Sequence, residues 1–243
     1  MWVLLGGILS YIALGWGLFG VWFVVGLIRA HRPYTTRQAA DAHAAAAAFL
    51  TETLPLLRPW EPAALADLSN HWEGSRASGF SSIDFQQGIV KSQGDSLAAG
   101  WLAFHLSRKG AYAFLRLATS AHEVRLDFTR DGIKIRSRGH YVGYARGRAR
   151  VTYDLWDSQA QPIGTYVRFG GALKVAPYGP VVVRGRLLGE VCVMRRGRDH
   201  IFGSTPRPAT QNLASDLTLE EADWLLAVVG LELMHCLREF RSP

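Results

Sequence analysis

The densest group of chemistry-bearing side chains in the sequence is a run of cations. Residues 134–150 contain Lys134, Arg136, Arg138, Arg146, Arg148 and Arg150 and no acid, so this stretch holds six of the chain's net +7 charges and leaves +1 for everything else. Five of the six are arginine, whose planar guanidinium suits bidentate contact with phosphate or carboxylate. If residues 139–145 form a loop, the spacing predicts a hairpin in which Arg138 faces Arg146, Arg136 faces Arg148 and Lys134 faces Arg150 on one sheet face. Like charges set opposite one another are destabilising, so such a face calls for an anionic partner. Part of the answer is internal: a turn at Asp131-Gly132 sets Asp127 beside Arg136 and Glu123 near His140. For the remainder, anionic lipid head groups attract basic residues by about 1 kcal/mol each, and an acidic protein surface offers the same chemistry. The bland alternative is a solvated face in a chain that uses 23 Arg and 4 Lys. Nucleic acid is not expected as a partner, because no recognition helix is evident. Tyr141 and Tyr144 beside the cations could stack on bases or sit equally well at a lipid interface.

The other motifs carry less. Gly94-Asp95-Ser96-Leu97, followed by Gly100, reads as the nucleophile block of GDSL esterases, but no D-x-x-H pair exists to supply the base. A nucleophile without its base is inert, so a polar turn is expected there. The eight histidines show no metal spacing; His122-Glu123 and Asp199-His200 are adjacent pairs, and only Glu232 and His235 share a helix face. Cys192 and Cys236 lie 44 residues apart in apolar stretches, which predicts buried reduced thiols. There is no glycine-rich phosphate loop. The expectation is a protein with no catalytic residues, no cofactor and no metal.

The elements that must position the basic segment follow from periodicity. Of 243 residues, 49% are apolar, 19% are charged and 25 are glycine, which favours strands and turns over a helical bundle. Residues 1–28 carry no charged side chain, and as a helix they would reach about 42 Å, longer than the roughly 30 Å of a bilayer's hydrocarbon core. A transmembrane anchor is therefore expected over 1–28, with Arg29, Arg32 and Arg37 placing the C-terminal bulk in the cytoplasm. Within it Gly6, Ser10, Ala13, Gly17 and Gly20 form one stripe of small residues, suited to packing against a helix of a partner or of another copy. A juxtamembrane helical stalk is expected over 29–75, capped by Thr35 or Thr36 and stopped at Pro55, with a second short helix starting at Pro62. From residue 76 the period becomes two: His122, Val124, Leu126 and Phe128 alternate with Glu123, Arg125, Asp127 and Thr129, and Asp131-Gly132 turns the chain into Ile133–Arg138. Further strands are read at 100–106, 112–118, 148–155, 163–169, 181–184 and 188–194. A last helix over 218–240 opens with a Thr218/Glu221 capping box and is apolar all round from Trp224 to Leu231, so it must be buried.

Strands followed by a terminal apolar helix, with Tyr153-Asp154-Leu155-Trp156-Asp157 leading to Ile163-Gly164 and an echo in Arg184-Gly185-Arg186-Leu187-Leu188-Gly189, resemble the tubby-like superfamily. That superfamily includes LURP-one proteins and phospholipid scramblases, and the resemblance covers about 76–240. It implies a twelve-stranded barrel threaded by the last helix and, as in several members, association with membranes or phosphoinositides; no family binding residue is carried over. The expected fold is thus mainly β with helices: a single N-terminal transmembrane helix plus an antiparallel β-barrel or sandwich closed around a buried C-terminal helix, with the soluble domain over 76–243. The expected function is a non-enzymatic binding module of the cytoplasmic membrane whose basic face meets anionic lipid or an acidic protein surface. The alternative is an accessory single-span subunit of a larger membrane assembly.

Overall fold

Alternating apolar and polar residues lay down a meander of antiparallel strands. The computed structural model describes residue 21 and residues 35–69, 72–78, 84–91, 96–107, 110–129, 131–149, 152–168, 178–193 and 207–239. Twelve strands follow in chain order: β1 (Trp72–Ser78), β2 (Asp84–Lys91), β3 (Ser96–Ser107), β4 (Gly110–Thr119), β5 (Glu123–Phe128), β6 (Ile133–Ser137), β7 (His140–Ala149), β8 (Thr152–Asp157), β9 (Pro162–Val167), β10 (Tyr178–Val183), β11 (Arg186–Cys192) and β12 (Thr210–Gln211). Among the described residues each is hydrogen-bonded only to its neighbours in sequence. Two α-helices flank them, α1 (Thr36–Thr53) and α2 (Leu219–Glu239), and short 3-10 turns cover Leu54–Leu56 and Pro62–Asp67.

The sheet is open, and this corrects the expectation of an antiparallel β-barrel or sandwich closed around the C-terminal helix. Among the described residues β1 does not pair with β12. The reason is local. β12 is only two residues long, and Asn212 behind it has φ +51°. β12 and the two residues before it meet the second 3-10 turn and the residues just after it: Ala209 N donates to Leu68 O at 2.5 Å, Thr210 Oγ1 donates to Leu65 O at 2.6 Å, and Ser69 forms a lone bridge with Pro208. Irregular chain thus occupies the place that a closing ladder would need.

Among the described residues no helix is long and apolar enough to cross a membrane. The expected span over 1–28, with its stripe Gly6, Ser10, Ala13, Gly17 and Gly20, lies outside the described residues.

The two faces of the sheet do different things. Inward-pointing Leu115, Leu117, Val124, Leu126, Ile133, Ile135 and Leu155 are buried in one cluster with Trp224, Leu225, Val228 and Val229 of α2. α2 starts where the sequence predicts, with Glu221 N donating to Thr218 Oγ1 at 3.3 Å and Thr218 N donating to Glu221 Oε2 at 2.8 Å. Gly230 marks its closest approach to the sheet: a Cβ there would stand 2.8 Å from Leu126 Cδ1 and 3.0 Å from Leu115 Cδ2. On the other face, α1 lies over β3 and buries Ala46 and Leu50; Leu50, together with Leu57 from the segment after the helix, clusters with Ala118 of β4. Its N-terminus carries a capping box between Thr35 and Gln38. α1 belongs to the segment expected as a helical stalk, and it packs on the sheet.

Candidate anion-binding site on the outer face of the sheet

The basic segment folds into β6 and β7, but in another register than its spacing predicts. Arg138 and Gly139 both adopt left-handed conformations, at φ +54° and +81°, and make a two-residue turn in place of the expected seven-residue loop. Consequently Arg136 lies opposite Tyr141 and Lys134 opposite Tyr144, with a shift of register between Ile135 and Arg136. Tyrosines of β7 stand across from the cations of β6, so the arginine pairs expected between these two strands do not form; on its other side Arg136 stands opposite Arg125 of β5, and Asp127 binds both. Because Ile133, Ile135 and Ala145 point into the core, Lys134, Arg136, Tyr144 and Arg146 point outward.

The six cations then meet different fates. Arg136 forms an ion pair with Asp127, but not through the expected two-residue turn: β5 and β6 are joined by the four residues 129–132, Asp127 stands opposite Lys134, and it reaches Arg136 diagonally while also accepting from Arg125 Nε at 2.8 Å. Arg148 makes a two-pronged contact with Asp154, its Nε standing 2.9 Å from Oδ2. Arg138 turns toward the end of the sheet, its Nε 3.6 Å from Asp223 Oδ2 on α2. Glu123, expected near His140, instead pairs with Arg116. Arg150 lies outside the described residues. Lys134 and Arg146 remain, and among the described residues neither has an ion pair.

These two line the same cleft. It measures about 300 Å³ and is walled by Thr129, Asp131, Gly132, Lys134, Tyr141, Tyr144 and Arg146. Tyr144 is held from behind by Trp156 of β8, their rings 5.5 Å apart and 6° from parallel. Tyr141 is 39% exposed. Burial of part of its ring, and then the neighbouring Tyr144, push the Tyr141 phenol above its ordinary value, so it stays a protonated donor at neutral pH. The cleft therefore presents an ammonium, a guanidinium, phenol hydroxyls and one carboxylate around an aromatic wall.

A second polar group lies in the interior. Asp223, near the start of α2, accepts from Ser137 Oγ at 2.8 Å and sits 2.8 Å from His122 Nε2, while Thr119 Oγ1 stands 3.4 Å from His122 Nδ1. The serine meets the carboxylate rather than the imidazole, so no nucleophile–base pair is formed. Glu232, fully buried, accepts from Tyr166 OH at 2.6 Å and from Arg168 Nη2 at 3.0 Å. Burial and this carboxylate hold the Tyr166 phenol well above its ordinary value, fixing it as the donor. The side chain of His235, expected to share a face with Glu232, lies outside the described residues, as do Gly94 and Asp95 of the GDSL-like block. Among the described residues no three His, Cys, Asp or Glu side chains are grouped to hold a metal.

Sequence reasoning missed two things here. One is the role of Asp131, which reads as turn chemistry and becomes a wall of the cleft. The other is Asp223, whose signal was available: an acid opening an otherwise apolar helix face must find a cation or donors when buried. Comparison with protein-family models, with curated proteins and with solved structures finds no match in any of the three.

Proposed function

We propose that the domain is a binding module rather than an enzyme, and that its cleft between β6 and β7 takes an anionic group. The observation that carries this reading is the selective pairing of the basic segment: Arg136, Arg138 and Arg148 form ion pairs with Asp127, Asp223 and Asp154, while among the described residues Lys134 and Arg146, though opposite Asp127 and Asp154 across the ladders, form none and line a cleft with two tyrosines. A binding site keeps its charges free for the ligand, whereas a merely solvated face has no reason to gather them with aromatic rings. Anionic lipid head groups come first among partners, because cations beside tyrosines suit the interfacial zone of a membrane. An acidic protein surface offers the same charge and is the second source.

Co-sedimentation of the full chain with vesicles tests this. Vesicles of phosphatidylcholine containing phosphatidylglycerol should retain the protein, and phosphatidylcholine alone should not. At about 1 kcal/mol per cation near an anionic surface, replacing both Lys134 and Arg146 with alanine should weaken retention roughly thirtyfold. Equal retention by both vesicles, or by the variant, overturns the lipid reading.

A further inference from the structure

The cleft is not uniformly basic. Besides Lys134 and Arg146 it is lined by the carboxylate of Asp131, and among the described residues Asp131 has no ion pair, although it shares the cleft with both cations. Its position is set by the β5–β6 turn, where Thr129 N and Thr129 Oγ1 both donate to Gly132 O, at 2.8 and 2.9 Å. Asp131 itself is exposed and takes no part in those bonds. A site evolved only for an anion has no use for an acid in its wall, since the carboxylate opposes the charge that the cations attract.

The rings supply the complementary half. An ammonium is attracted to the face of a tyrosine, and more so when a carboxylate stands nearby. Tyr144 is backed on Trp156, and Tyr141 stands exposed at the same cleft. The lining thus offers two positive groups for an anion, with one negative group and two rings for a cation.

We infer that the ligand is a phosphate ester that also carries an ammonium group: the phosphate meets Lys134 and Arg146, and the ammonium meets Asp131 and the tyrosine rings. This rests on the reading of the cleft as a binding site for anionic head groups and narrows it to amino-bearing ones. A lipid head group and a soluble phosphorylated amino alcohol share this chemistry.

The test compares two lipids of equal net charge. Phosphatidylserine carries an ammonium and phosphatidylglycerol does not, so at equal mole fraction in phosphatidylcholine vesicles, charge alone predicts equal binding of the full chain. The inference predicts at least fivefold tighter binding to phosphatidylserine. Asp131→Asn should bring the ratio of the two affinities close to one, and Tyr141→Leu, which removes a ring face and no charge, should lower it as well. Calorimetry with O-phosphoserine and glycerol 3-phosphate gives the soluble arm, and a preference for O-phosphoserine without vesicle binding assigns the site to a free ester of the same class. Equal binding to the two lipids, with anionic vesicles still preferred over neutral ones, overturns this inference and leaves the anionic site standing. Failure to bind either vesicle or either ester overturns both.

Discussion

Two regions of this molecule carry charge next to β-strands and treat it in opposite ways. Inside the sheet, Glu232 and Asp223 of α2 are surrounded: Tyr166 and Arg168 hold the first, Ser137, His122 and Arg138 the second. On the outer face, Arg136 and Arg148 are paired with Asp127 and Asp154, yet Lys134 and Arg146 are not. Solvation explains the difference in tolerance. An unanswered charge in the interior costs several kcal/mol, while at the surface water answers it at little cost. Interior pairing is thus forced by physics, and outer pairing is optional; what is left unpaired outside, beside aromatic rings, is where a partner's contribution can be sought.

The contrast can be tested from its costly end downward. Removing one member of the interior pair should have the largest effect: Glu232→Ala takes away the buried carboxylate that Arg168 and Tyr166 both contact and should lower unfolding free energy by about 3–5 kcal/mol in a denaturant titration. A loss below about 1 kcal/mol would mean that Arg168 escapes to water and that the interior is not closed to it. On the outer face, neutralising the free cations as Lys134→Gln/Arg146→Gln should weaken retention by anionic vesicles roughly thirtyfold while leaving the denaturation midpoint close to that of the parent, because no ion pair is broken and no acid is set opposite Asp127 or Asp154. A large fall in midpoint would show these residues to be structural.

An intermediate case sits under α1. His43 Nε2 lies 3.1 Å from Arg125 Nη2, and its ring stacks on Phe114 at 4.0 Å. Arginine can only donate, so the imidazole must accept and must be neutral. Burial, and then the Arg125 charge, hold its pKa below the ordinary 6.5, against the opposing pull of Asp127 and Glu123. With the folded value depressed, the unfolded chain takes up the proton first, so this contribution is present above about 6.5 and is lost as pH falls below it. Thermal midpoints should therefore fall by a few degrees between pH 7.5 and 5, and His43→Gln should flatten that part of the profile. A midpoint that rises on acidification, and does so through His43, would contradict the assignment. The smallest effect belongs to Arg148, 65% exposed in its pair with Asp154: Arg148→Ala should leave the midpoint unchanged within error and change vesicle binding less than threefold.

Much of the domain was legible where the physics is local. The period of two in β5 places Val124 and Leu126 inside, the Thr218/Glu221 box opens α2, and Thr35 caps α1, because each depends on residues within a few positions of one another. The ion pair of Asp127 with Arg136 was expected and is present, but it forms diagonally, because the β5–β6 connection is four residues long and sets Asp127 opposite Lys134. The register of β6 on β7 was not legible. It turns on Arg138 accepting a left-handed backbone conformation, at φ +54°, which sequence reasoning reserves for glycine or asparagine. That single choice shortens the loop and replaces facing arginines with facing tyrosines. Closure of the sheet was misjudged because it depends on what fills the gap beside β12, where the long-range contacts of Leu65, Leu68 and Ser69 decide. Of the site, the cations were visible as a composition anomaly; which of them stay free depends on Asp154 and Asp223, and Asp223 is distant in sequence.

The central claim is that two free cations, rather than the basic segment as a whole, bind the partner. Binding isotherms on phosphatidylglycerol-containing vesicles for two variants of equal charge, Lys134→Ala/Arg146→Ala and Arg136→Ala/Arg148→Ala, test it most directly. The account predicts a loss of roughly thirtyfold in the first and a change of less than about threefold in the second. Equal losses in the two would contradict it, since binding would then follow the total charge of the segment and the cleft would have no part in it.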